Sequence, residues 1–247
     1  TELIQHLDEF VDGVTSFARS KGQTYDLIHS HYWLSGIAAL KLRDQFSTPI
    51  VHMFHTLALM KNRVARNEIE QESQERINNE KLIVRQADGL IAATPAEHSQ
   101  LTYLYKADDD KIKIIPPGVD TSHFYPIQKD EAKDYIGIPK DDRMILYVGR
   151  IEPLKGIDTL IRAIALLEKR GAYLNNCAHY LTIIGGDPTA SEENLDVEMK
   201  RLQRLTRELG VENLVLFLGK RAQETLPYYY SAAEFVVMPS HYESFGM

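Results

Sequence analysis

The chain opens on apolar residues spaced three and four apart: Leu3, Leu7, Phe10, Val14 and Phe17. Side chains at that spacing share one helix face, so the segment predicts a helix buried along this stripe and ended by Gly22. A different rhythm follows, in which short apolar runs alternate with longer amphipathic ones. Residues 26–30, 50–54, 89–93 and 112–115 read as strands. Between them 33–46, 64–86 and 95–105 read as helices, the middle one long and polar. Pro116-Pro117-Gly118 stops the fourth strand, and 120–129, which contains Pro126, reads as a linker. The pattern then restarts, with strands expected at 144–149, 181–186, 214–218 and 234–238 and helices at 156–170, 192–209 and 222–232.

Short strands that are apolar throughout and alternate with helices indicate parallel sheets covered on both faces. The expected class is therefore α/β, as two doubly wound domains divided near 122 and 123. Such sheets take ligands beyond the carboxyl ends of their strands. That edge is where the polar motifs of this chain fall.

Composition narrows the partners. With 28 Lys and Arg against 35 Asp and Glu, the formal charge is −7. An acidic balance argues against nucleic acid, which calls for a basic stripe. It is compatible with a small phosphate-bearing ligand, which needs only a few local cations. No apolar run reaches the length of a membrane span, and no signal-peptide pattern opens the chain. The single cysteine, Cys177, has no internal partner, which favours a reducing cytoplasm. Thr1 begins inside a helical pattern and Met247 follows a strand and turn, so both ends read as cut.

The most pointed motif is VGRIEPLKG (148–156), between a strand and a helix. Gly149 permits a sharp turn, and Arg150 and Lys155 place two cations near a helix N-terminus, where open amides also favour an anion. A diphosphate would suit that loop; so would a surface ion pair. PSHYESFGM (239–247) follows the last strand, and Glu243 there is placed either to accept hydrogen bonds from sugar hydroxyls or to cap a turn. HSHYWLSG (29–36) and HMFHTL (52–57), which runs on into HTLALMKN (55–62), cluster histidines at two strand ends. A metal reading of these is set aside, because no further Cys, Asp or Glu ligands have matching spacing. Lys61 and Arg76 also fit a solvated helix face, and Arg221 follows another strand end. P-loop, dinucleotide and nucleophile-elbow fingerprints are absent.

Together with PPGVD (116–120) and the segment around Arg76, these motifs resemble the family 4 glycosyltransferases over essentially the whole chain. Within that family the sequence is similar to enzymes that move N-acetylglucosamine onto inositol phosphate, and to bacterial sucrose-phosphate synthases. The resemblance implies the GT-B architecture: an acceptor-side Rossmann-like domain over 1–122, and a nucleotide-sugar-binding Rossmann-like domain over 123–247. Both would be incomplete, the first lacking its opening strand and the second its end. It implies a retaining transfer from a nucleotide diphosphate sugar, UDP-linked, to a hydroxyl of a small phosphorylated acceptor, with no metal cofactor.

Roles carry over by position. Arg150 and Lys155 match the pair on the donor diphosphate. Arg221 matches a basic residue near the donor phosphates, and Glu243 a residue on the donor sugar. Ser244, Phe245, Gly246 and Met247 complete the donor segment. His55 matches a histidine at the reaction centre. Tyr32, Thr56, Lys61 and Arg76 form the acceptor set, with Arg76 toward the acceptor's phosphate. Two alternatives remain at this level: a nucleotide-sugar epimerase of the same fold, and a non-catalytic nucleotide-sugar-binding protein.

Overall fold

A computed structural model describes residues 2–171, 179–190 and 195–245; Cys177, Gly246 and Met247 lie outside these ranges. The chain divides into two compact units, Thr1–Gly118 with Tyr242–Met247, and Val119–His241.

In the first unit α1 (Leu7–Lys21) precedes β1 (Ile28–His31), α2 (Tyr32–Phe46), β2 (Ile50–Met53), α3 (Ala58–Val64), α4 (Gln74–Gln86), β3 (Gly89–Ala92), α5 (Pro95–Tyr105) and β4 (Ile112–Ile114). The strands pair in parallel in the order β1-β2-β3-β4. Ile28 lies opposite Ile50, Val51 opposite Gly89 and Leu90 opposite Ile112. Trp33, Phe54, Leu57, Ile83, Leu90 and Leu101 are buried in its main core.

The second unit holds α6 (Lys129–Ile136), β5 (Arg143–Val148), α7 (Ile157–Lys169), β6 (His179–Ile184), α8 (Val197–Leu209), β7 (Val215–Gly219), α9 (Leu226–Ala232) and β8 (Phe235–Val236). Its strands are parallel in the order β7-β6-β5-β8. Alternate side chains of β5 and β6 face opposite ways, as strand geometry requires. Tyr147, Leu181 and Ile183 pack with Ile157, Ile161 and Leu202 of α7 and α8. Met144, Leu146 and Ile184 pack with Ala132, Tyr229 and Ala232 of α6 and α9. In this unit both faces of the sheet are covered and the strand order reverses at β5, the doubly wound arrangement, while the first sheet runs in sequential order; both units are α/β with a parallel sheet of four strands.

Four local expectations change. The helix expected over 64–86 begins only with α4 at Gln74; α3 has ended at Val64, and 65–73 form a loop with a 3-10 turn at Glu68–Glu70. Asn67 accepts from the amides of Ile69 and Glu70, and Ser73 from that of Arg76, so two side-chain caps compete with continuous helix. The stretch after the linker forms α6, closed by Gly137 in the left-handed region. Residues 223–225 form a separate 3-10 turn, and α9 starts only at Leu226 with Pro227 in its first turn. Finally, α1 turns in only part of the expected stripe: Leu7 and Val14 are half-buried against α2, and the rest of the stripe is not. Val11, Thr15 and Ala18 are buried, whereas Leu3, Phe10 and Phe17 are 63%, 56% and 53% exposed. Val11 packs on Ala38 and Leu42 of α2 with Leu7 and Val14 against the same cluster, so the aliphatic members of the stripe meet the neighbour and the two phenylalanines do not. Among the described residues, no helix is long and apolar enough to cross a membrane.

Candidate functional site

In the first unit the parallel register sets His31, the last residue of β1, opposite Met53, the last of β2. The chain leaves both strands through left-handed residues, Tyr32 at φ 70° and His55 at φ 63°. This conformation is uncommon for side chains of their size and aims the two loops at each other. His29 and His31 have ring centroids 4.2 Å apart. His31 stacks on His55 at 5.0 Å, and its Nδ1 lies 2.7 Å from His55 Nε2, so one of the two nitrogens donates and the other accepts. Beneath them His52 is fully buried, with Nδ1 2.7 Å from the Ser30 hydroxyl. Gly36 is required at its place: a Cβ there would lie 2.6 Å from Ile83 Cδ1 and 2.8 Å from His52 Cε1.

Burial, then the neighbouring imidazoles, lowers the pKa of His31 and His55, and drives that of His52 down to about 3. Those three rings are therefore neutral near pH 7. Among the described residues no three His, Cys, Asp or Glu side chains are arranged to hold a metal ion.

Next to the histidines lies a buried ionic network centred on Arg76, which is 2% exposed. Its Nε donates to Glu80 at 2.8 Å. Its Nη1 reaches Glu72 at 2.9 Å and the Tyr32 hydroxyl at 3.3 Å. Its Nη2 donates to the carbonyl and the hydroxyl of Thr56 at 3.1 and 3.0 Å. The guanidinium carbon also lies 5.0 Å from the centre of the Tyr32 ring. Burial opposes the Arg76 charge, but the two carboxylates outweigh it and its pKa is raised. Glu80 is fully buried, accepts the Ala58 amide at the start of α3, and is bonded to the Tyr105 hydroxyl. Lys61 pairs with Glu72. Tyr32, Thr56, Lys61 and Arg76 are thus brought together as one cluster, with His55 one residue from Thr56. Glu72, Glu80 and Tyr105 were not anticipated. The signal was present for the first two, which lie four residues either side of Arg76, a spacing that brings side chains together on a helix, although Glu72 itself lies just ahead of α4.

Residues 242–245 belong to this unit as well. The Phe245 ring lies 5.8 Å from that of His55. Ser244 and Tyr242 are buried; the Ser244 carbonyl accepts from Thr94 at 3.4 Å, and its hydroxyl donates to that of Tyr242 at 3.1 Å. Glu243, between them, is exposed.

In the second unit the carboxyl edge of the sheet is crowded with backbone. The Gly149 amide donates to Ile184, and that of Gly185 to Gly219, at 3.0 and 2.9 Å. A Cβ on Gly185 would collide with the Gly149 carbonyl, and one on Gly156, at φ 65°, with that of Pro239. The His241 amide donates to the Leu154 carbonyl at 2.9 Å, so the loop bearing Arg150 and Lys155 rests on the strand end at 239–241. Arg150 is 72% exposed in its side chain and paired with Glu152 at 2.7 Å. Lys155 is buried at the end of a 3-10 turn, directly before α7. Arg221 donates from Nε to the Tyr229 hydroxyl at 3.1 Å. With Tyr180, Thr182, Leu218 and Tyr229 it lines a groove of about 530 Å³ along β6 and β7, which neither Arg150 nor Lys155 lines.

Two family models match this chain, Glycosyltransferase Family 4 over residues 9–123 and Glycosyl transferases group 1 over 128–247. The chain is 40% identical over 247 residues to a D-inositol 3-phosphate glycosyltransferase of Actinosynnema mirum, covering 100% of itself and 58% of that protein. It is 38% identical over 255 residues to the protein of the same name from Thermomonospora curvata, again covering 58% of the relative. Among solved structures it resembles sucrose-phosphate synthase from Thermosynechococcus elongatus, with a TM-score of 0.84 and 34% identity over 99% of this chain and 57% of that one. The Anabaena protein HepE, solved in complex with UDP and glucose, shares the fold with a TM-score of 0.73 at 21% identity, over 96% of this chain and 57% of that one. The chain therefore spans somewhat more than half the length of the relatives it matches. With a family model on each half and two parallel α/β sheets of four strands, the chain belongs to the family 4 glycosyltransferases of GT-B fold.

Proposed function

We propose that the protein to which this chain belongs transfers a hexosyl or N-acetylhexosaminyl group from a nucleotide diphosphate sugar, UDP-linked, to a hydroxyl of a small phosphorylated acceptor, with retention at the anomeric carbon. The observation that carries the acceptor half is the convergence of Tyr32, Thr56, Lys61 and Arg76 beside His55 at adjoining strand ends. Two cations with two hydroxyls suit a phosphate better than an uncharged sugar. The relatives named for D-inositol 3-phosphate support the same class of acceptor. Family membership carries the donor half, and the HepE complexes with UDP are in keeping with it.

In this reading the bond from the anomeric carbon to the diphosphate oxygen breaks as the acceptor oxygen bonds to the same face of that carbon. The acceptor's proton passes to the departing diphosphate. Arg150, Lys155 and the open amides at the start of α7 stabilise the charge that develops on the leaving group. Arg221 serves the same phosphates, while Glu243 with residues 244–247 holds the donor sugar. His55 serves as a hydrogen-bonding group at the reaction centre. Because protein cations carry the leaving-group charge, the transfer is expected to proceed undiminished in excess chelator.

The decisive experiment is a donor-by-acceptor screen of the complete protein, read by mass spectrometry. A hexosylated inositol phosphate or sugar phosphate supports the reading. Donor consumed with every acceptor left untouched would favour epimerisation, and glycosylation of uncharged acceptors alone would remove the phosphate assignment.

A further inference from the structure

The seat proposed above for the acceptor's phosphate already holds an anion. Glu72 sets its carboxylate on Arg76 Nη1 at 2.9 Å and on the Lys61 ammonium. Partial burial works against its charge, yet the bond from Lys61 and the charges of Arg76 and Lys61 hold its carboxyl below the ordinary value. The Tyr32 hydroxyl, also on Nη1, is neutral and gives an incoming anion nothing to displace, and the other partners of the guanidinium are held in place. Glu80 is fully buried and committed to the Ala58 amide and the Tyr105 hydroxyl. Thr56 is bonded through both its carbonyl and its hydroxyl. The Glu72 side chain, by contrast, is 22% exposed. Its backbone is held separately: its amide donates to Asn62 Oδ1 at 2.7 Å, and its carbonyl accepts from Asn62 Nδ2 at 3.3 Å. The side chain can leave while the main chain stays.

We infer that Glu72 is a displaceable internal substitute for the acceptor's phosphate, and a specificity-determining residue for that acceptor. The inference rests on the acceptor reading above. An arriving dianion exchanges one anion for a stronger one at Lys61 and Arg76, and the carboxylate turns out into water. An uncharged acceptor offers those cations nothing in exchange and meets a closed seat. Selectivity then comes from a repulsive element, the resident carboxylate, as well as from the attractive cations.

The test uses inorganic phosphate, titrated at pH 8 into the chain and into Glu72→Gln, with the Thr56 amide and the Arg76 Nε–H followed by NMR. The substitution is expected to tighten phosphate by about tenfold, the lower end of what one charge-assisted hydrogen bond is worth. In the unsubstituted chain the side-chain carbonyl carbon of Glu72 should shift as phosphate saturates. Equal or weaker binding by a folded Glu72→Gln chain overturns the substitute role and leaves the seat standing. So does a Glu72 signal that stays fixed at saturation, which needs no variant. Phosphate that binds neither protein overturns both the role and the acceptor reading on which it rests.

Discussion

Arg76 shows how one residue can serve structure and site at once. Its guanidinium holds Thr56 and Tyr32 in place, and it is the positive partner of the fully buried Glu80. Arg76→Met would leave that carboxylate uncompensated, and breaking a buried pair on one side costs about 3–5 kcal/mol. A urea titration should show that loss, and a midpoint shift worth under about 1 kcal/mol would mean that the network is ornamental. Arg150 presents the opposite case, largely exposed and paired with Glu152. Arg150→Ala should leave stability within about 0.5 kcal/mol and slow transfer by the complete protein by roughly ten- to a few hundredfold, the worth of one charge-assisted hydrogen bond. His52 gives a pH signature. Its folded pKa is depressed from the ordinary 6.5 to about 3 by burial and by the neighbouring imidazoles. Its contribution to stability is thus complete above pH 6.5 and is lost as pH falls from there toward 3, while the unfolded chain takes up the proton first. His52→Asn should flatten that part of the stability profile measured by urea unfolding between pH 7 and pH 4.

At the scale of elements, α1 separates pattern from packing. Its apolar positions are spaced for one face, yet the buried face is centred on Val11, Thr15 and Ala18, with Leu7 and Val14 at its edge and Phe10 and Phe17 outside it. Phe17→Ser should therefore change stability by no more than about 0.5 kcal/mol. Val11→Ala should cost about 1–2 kcal/mol, through lost burial and the space left behind. Thermal melts of the two variants rank them directly, and the reverse order would show that the stripe is the packed face. The break between α3 and α4 matters more for function. Continuous helix over 64–86 would have no loop at Asn67–Ser73, and hence no Glu72 folded back on Asn62 and Lys61.

Over the whole molecule, the strand–helix alternation was legible because a parallel sheet buried on both faces needs apolar strands, and nothing else in the chain has that form. The strands fell within a few residues of their observed limits, and α5 matched at both ends. What stayed hidden was tertiary choice: which side of α1 faces inward, and where side-chain caps defeat helix propensity. The site was legible to the same degree. The motifs lie at the carboxyl edges of the strands, as read, and register explains why His31 and His55 meet. The carboxylates that close the cluster carry no motif; they look like ordinary surface charge until Arg76 is seen to be buried.

The left-handed backbone at His55 has an evolutionary consequence. For any side chain but glycine that geometry costs roughly 1–2 kcal/mol, so His55→Gly is expected to raise the melting temperature while abolishing whatever chemistry the imidazole serves. A laboratory selection for heat resistance alone would tend to discard this histidine. A selection that demands turnover would keep it, and comparing the survivors of the two regimes would reveal what the imidazole is for.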